Sequence, residues 1–154
     1  MNTQSTRRPI EILLVEDNPD DVRLALEALK EGKVNKSVHA VKDGEAALEF
    51  LRRTGQYTQT PKIDLILLDL KLPKKDGYEV LAEIKADPAL KQIPVVILTS
   101  SKAEEDKAKT QSLHALGYMI KPPDLDQFIE VVASMEELWL GILEEMRRNG
   151  ENSQ

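Results

Sequence analysis

The chain has 154 residues, a net charge of −6 and no cysteine. That length suits one domain able to bury about 68–70% of its unfolded surface. The missing cysteines exclude a disulfide framework, a thiolate zinc site and a thiol nucleophile, and the acidic balance argues against nucleic acid or an anionic membrane as main partner.

Residues 1–9 are polar and lack the apolar core of a signal peptide. They read as a flexible N-terminus. No apolar run approaches the ~18 residues of a membrane span, so a cytoplasmic protein is expected. Five short apolar runs then follow, at residues 10–15, 38–41, 65–68, 95–98 and 118–120. The third and fourth are nearly continuous in Ile, Leu and Val, as in strands buried on both faces of a parallel sheet.

Helical patterns fill the intervals. Asn18 caps a first helix, with Pro19 as its first residue and Gly32 at its end; Val22, Leu26 and Leu29 face inward. A second helix follows Asp43-Gly44, with Ala47, Leu48 and Leu51 inward. Residues 54–62 form a polar loop. A third helix runs from about Gly77 to Ala86 and stops before Asp87-Pro88. A fourth starts near Ser101, with Glu104, Glu105 and Asp106 where the dipole favours acids. The last starts at Asp124 and reaches toward Arg147-Arg148. Residues 10–148 read as one domain with an extended C-terminal helix, and 149–154 as a flexible tail. The alternation is (βα)₅, which implies right-handed crossovers and a parallel α/β sheet with helices on both faces.

In open α/β sheets, ligands bind outside the carboxyl ends of the strands. The first strand ends in Glu16-Asp17, followed by Asp20 and Asp21. The third ends in Asp69, the fourth in Thr99-Ser100-Ser101 and the fifth in Lys121-Pro122. Crowded carboxylates repel one another, and a divalent cation relieves that repulsion. Oxygen ligands without sulfur or imidazole suit Mg²⁺. With one lysine and a threonine hydroxyl nearby, the set suggests a metal-assisted phosphoryl acceptor with Asp69 as nucleophile. Taken singly, each position has a plainer reading. Asp17 is then a helix cap and Lys121 a solvated lysine. Convergence of four strand ends favours the site.

These residues also resemble a known family. Residues 12–18, Ile-Leu-Leu-Val-Glu-Asp-Asn, look like the acidic-pair motif of two-component response-regulator receiver domains. Residues 67–73, Leu-Leu-Asp-Leu-Lys-Leu-Pro, with 76–79, Asp-Gly-Tyr-Glu, resemble their phosphoacceptor segment. Residues 94–100 and 118–122 resemble the last two motifs. The resemblance covers roughly residues 10–140. It implies a flavodoxin-like, CheY-like fold with strand order 2-1-3-4-5. It implies that Asp69 takes phosphate from a sensor histidine kinase. Asp17 would bind Mg²⁺ directly and Glu16 through water, with Asp69 and the backbone carbonyl of Lys71 completing the metal site. Thr99 and Lys121 would contact the phosphoryl group. Tyr118 would be the switch that turns inward as Thr99 moves, and the Lys121-Pro122 bond would be cis. Lys71 and Ser101 stand where the family tunes dephosphorylation. His114 stands where many members have glycine, which bears on the local turn.

A narrower resemblance, to stand-alone regulators paired with bacterial and especially cyanobacterial phytochromes, rests on residues 124–129 and 137–140 and on the 54–62 loop. The output is then a surface, implied to be the face of the fourth helix, fifth strand and fifth helix. Phe128, Val132, Met135, Trp139, Ile142 and Met146 repeat at helical spacing. The first half of that stripe packs on the sheet. Trp139, Leu140, Ile142 and Leu143 extend past it and suit a homodimer or partner surface. Three competitors remain: an aspartyl-phosphate metal-dependent phosphatase, a flavin carrier, and a docking module that needs no phosphate. Lys71 counts against the first, which generally has an acid two residues past its nucleophile. The acidic run after the first strand counts against the second.

Overall fold

The computed structural model describes residues 9–30, 35–111 and 114–121, together with Asp126, Gln127, Ile129, Glu130, Ala133, Gly141 and Glu144. Strands β1 (Ile10–Val15), β2 (Lys36–Val41), β3 (Leu65–Asp69), β4 (Val95–Thr99) and β5 (Gly117–Ile120) alternate with helices α1 (Pro19–Lys30), α2 (Gly44–Arg52), α3 (Gly77–Ala86) and α4 (Lys102–Lys109). All strand pairs are parallel, in the order β2-β1-β3-β4-β5. The seven described residues between 126 and 144 are helical.

The period-2 alternation of the strands divides the core into two layers. Leu13, Val15, Ile66, Leu68, Val95 and Ile97 pack on one face with residues of α2, α3 and α4. Ile12, Leu14, Leu65, Leu67, Val96 and Leu98 pack on the other with Ala25, Ala28 and Leu29 of α1, and Ile129 joins them. Every residue of β3 and β4 is buried, which explains why each is apolar up to its last residue.

Side-chain caps set the helix starts. Asn18 Oδ1 accepts from the N–H groups of Asp20 and Asp21 at 2.9 and 3.1 Å. Asp43 caps α2, Asp76 caps α3 and Ser101 caps α4. Of the residues expected inward on α1, Leu29 is buried and Val22 packs against the same layer, but Leu26 does not join it. Ala25, Ala28 and Leu29 are its buried residues, while Leu26 is only half-buried. β2 begins at Lys36, two residues before its apolar run; at a sheet edge its first positions tolerate polar side chains.

The expected helix end at Gly32, the Lys121-Pro122 bond, and Phe128, Val132, Met135, Trp139, Leu140, Ile142, Leu143 and Met146 lie outside the described residues. Among the described residues no helix is long and apolar enough to cross a membrane.

Candidate phosphoacceptor and metal site

Asp69 is the last residue of β3 and is buried, with 4% of its surface exposed. A carboxylate in such a place must be paired and hydrogen-bonded. Its Oδ1 accepts from the backbone N–H of Lys71 at 3.0 Å. Its Oδ2 lies 3.1 Å from the Lys121 ammonium. The loop after it is held from behind. Gly77 N–H donates to the Leu70 carbonyl at 2.9 Å, and Lys74 takes a positive φ of 66° so that Lys75 N–H reaches the Pro73 carbonyl at 2.7 Å.

Glu16, just past β1, is buried as deeply, at 2%. Its Oε2 accepts from the Asn18 N–H at 3.1 Å and its Oε1 from Lys121 Nζ at 2.8 Å. Asp17 is exposed. Carboxylate oxygens of Glu16, Asp17 and Asp69 lie within 4.8 Å of one another, as a single cation would require. Lys121 follows β5, where its N–H bonds the Thr99 carbonyl at 2.8 Å. Its ammonium reaches Asp21 as well, at 3.1 Å.

Burial pushes the Glu16 carboxyl up to about 7, against the pull of the Lys121 hydrogen bond and with the nearby Asp69 charge adding to it. Burial alone would lower the Lys121 ammonium. The Glu16 hydrogen bond and the charges of Asp69 and Glu16 outweigh that, and its affinity for its proton rises above that of an ordinary lysine. Lys121 therefore stays a cation among acids.

The structure brings Glu16, Asp17, Asp69 and Lys121 together as expected. It adds Asp21, whose carboxylate pairs with Lys121 from the first turn of α1, where the sequence shows only an ordinary first-turn acid. The hydroxyls after β4 and at its end have partners within the protein. Thr99 is fully buried and its hydroxyl donates to the Met119 carbonyl at 3.5 Å. Ser101 accepts from Glu104 N–H at 3.1 Å as a helix cap, and the Ser100 hydroxyl donates to the Glu104 carboxylate at 3.0 Å. Ser100 and Ser101, between β4 and α4, are drawn to the orphan donors and the acid of the helix that starts next. The Lys71 ammonium lies 3.0 Å from Glu104. Tyr118 is half-buried against the core layer of α2, α3 and α4, with Lys109 Nζ 5.7 Å from its ring centre.

Residues 12–133 match the family model of the response regulator receiver domain. The chain belongs to that family. The receiver is 47% identical over 132 residues to the response regulator Rcp1 of Synechocystis sp., covering 86% of this chain and 90% of that protein. The crystal structure of the phosphorylated cyanobacterial phytochrome response regulator RcpA matches it with a TM-score of 0.77 at 49% identity, over 86% of this chain and 95% of that one. The Mn²⁺-bound form of Rcp1 matches with a TM-score of 0.75 at 47% identity, over the same shares. The receiver thus resembles phytochrome-associated response regulators in sequence and fold. Glu16, Asp17 and Asp69 form an oxygen-only carboxylate set of the kind that could hold a divalent cation.

Proposed function

We propose that this receiver takes a phosphoryl group onto Asp69 from a phosphohistidine of a sensor histidine kinase, and that the kinase is a phytochrome. One observation carries the acceptor reading. Asp69 is buried, yet both its oxygens are bound, one by the Lys71 N–H and one by the Lys121 ammonium, beside two further carboxylates. The structural likeness to the phytochrome response regulator RcpA supports the choice of kinase.

In the transfer, a carboxylate oxygen of Asp69 forms a bond to phosphorus while the histidine N–P bond breaks, and the departing imidazole takes a proton. Glu16, Asp17, Asp69 and the backbone carbonyl of Lys71 would hold Mg²⁺. When bound, that ion screens the acceptor's charge from the donor and neutralises charge on the transferred oxygens. Lys121 holds Asp69 in place and supplies positive charge to the phosphoryl oxygens; its raised proton affinity keeps that charge at any physiological pH. Thr99 leaves the Met119 carbonyl to bind a phosphoryl oxygen, and Tyr118 moves inward behind it. The face of α4, β5 and the C-terminal helical stretch then changes its fit to a partner or a second copy, with Phe128, Met135, Trp139, Ile142 and Leu143 as the contact residues. The protein acts as a cytoplasmic signalling component rather than as an enzyme on other substrates. Lys71, whose ammonium lies against Glu104, stands where a phosphatase of this chemistry would carry its acid.

The test is intact mass after incubation with acetyl phosphate, with and without Mg²⁺. One added phosphoryl group is expected. It should require Mg²⁺ and be missing from Asp69→Asn. Metal binding without any adduct, from either acetyl phosphate or a phosphorylated kinase, would leave the phosphate-independent docking module as the function.

A further inference from the structure

Glu104 lies on the first turn of α4 and draws together both loops that flank Asp69. Its Oε1 accepts the Ser100 N–H at 3.0 Å, and its Oε2 accepts the Ser100 hydroxyl at 3.0 Å and the Lys71 ammonium at 3.0 Å. In an ordinary capping box the carboxylate at this position returns to the N–H of the cap residue itself. Ser101 is the cap here, and its hydroxyl does accept the Glu104 N–H at 3.1 Å. The carboxylate, however, passes over the cap to Ser100 and crosses to the loop after β3. The Glu104 side chain is 13% exposed and the Lys71 side chain 75% exposed, so the acid is the fixed partner and the lysine comes to it.

Ser100 is one residue past Thr99, and Lys71 is two past Asp69. A phosphoryl group on Asp69 adds up to about two negative charges and three strong acceptors. It would draw on the donors at these same loop positions.

We propose that Glu104 restrains the acceptor: its carboxylate occupies the Ser100 N–H and the Lys71 ammonium, and phosphorylation of Asp69 must win those donors from it. The exchange releases the first turn of α4, which links the acceptor to the α4 face. Glu104 is a positioning residue, since it acts through Ser100 and Lys71. The inference rests on the phosphoacceptor reading of Asp69.

The experiment compares the rate of phosphorylation by acetyl phosphate with Mg²⁺ in the unmutated protein, Glu104→Ala and Glu104→Gln, with thermal unfolding run alongside. Glu104→Ala is expected to phosphorylate about tenfold faster, the size of one charge-assisted hydrogen bond no longer competing, while melting at a lower temperature. Glu104→Gln should rise less, because its amide oxygen still accepts from Ser100 but holds no charge for Lys71. A merely structural role would lower melting temperature and rate together. If Glu104→Ala does not fold, the rise in Glu104→Gln decides. An unmutated protein that takes the phosphoryl group, with variants no faster, overturns the restraint and leaves the Asp69 reading standing. An adduct on the variants alone supports the restraint. No adduct on any of them, from acetyl phosphate or from a phosphorylated kinase, overturns both.

Discussion

A methyl group on Gly77 would stand 2.4 Å from the carbonyl oxygen of Asp69 and 2.5 Å from the Cα of Leu70. The start of α3 is therefore pressed directly against the backbone of the acceptor. Gly77→Ala forces these apart. The expected cost is about 1–3 kcal/mol, as for other overpacked sites, with a phosphorylation rate that falls further than stability alone explains. Urea unfolding and acetyl phosphate kinetics on the same sample measure the two effects.

Lys121 is the cation shared by Glu16, Asp21 and Asp69. Lys121→Met leaves two buried carboxylates without it. Breaking a buried pair from one side costs about 3 kcal/mol or more. Added Mg²⁺ or Mn²⁺ should restore part of that stability, since it replaces the missing positive charge. Phosphorylation should be lost while cation binding remains. Unfolding in chelator and in Mg²⁺, with calorimetric titration of Mn²⁺, separates these outcomes.

Asp17 differs from its two neighbours in the acidic cluster by being exposed. Asp17→Asn should leave metal-free stability within about 0.5 kcal/mol, as at most surface sites. Its Mn²⁺ affinity should fall by about tenfold or more, since even second-sphere changes at metal sites cost that much. Equal affinity in titration would remove Asp17 from the metal site.

Glu83 on α3 is hydrogen-bonded to Lys75 and lies 3.4 Å from Arg52 of α2. The Lys75 bond, with smaller help from Arg52, holds its carboxyl below the usual range. Its contribution to stability is therefore complete above the ordinary carboxylate range and is lost as pH falls through the lowered value. Glu83→Gln should melt below the unmutated protein at neutral pH, and the gap should close in acid. A gap that persists or widens in acid would show that packing rather than charge accounts for it.

The order of elements was legible because the local signals agree with the fold. Asp43-Gly44 and Asp76-Gly77 start α2 and α3 where the caps are found, and β3 and β4 read as buried because residues 65–68 and 95–98 are all apolar. His114, noted for standing where a glycine is common, does adopt a glycine-like φ of 56°. The buried acids were legible from their places at strand ends. Asp21 and Glu104 were not read as parts of the site. Each looks like a routine acid in a helix's first turn, and only a partner more than thirty residues away in sequence reveals its role. On α1 only Leu26 was misjudged, because periodicity weighs a leucine above the neighbouring Ala25, which is the residue buried.

The site's cation is held across 105 residues of chain, the separation of Glu16 from Lys121. The cation follows β5, a four-residue strand at the sheet's edge, whereas the acids it meets belong to β3, to the segment just after β1 and to the first turn of α1. The acidic end of the sheet can therefore assemble before anything neutralises it. Until β5 docks, Glu16, Asp21 and Asp69 repel one another without this counterion, and in that interval a free divalent cation would serve folding as well as signalling.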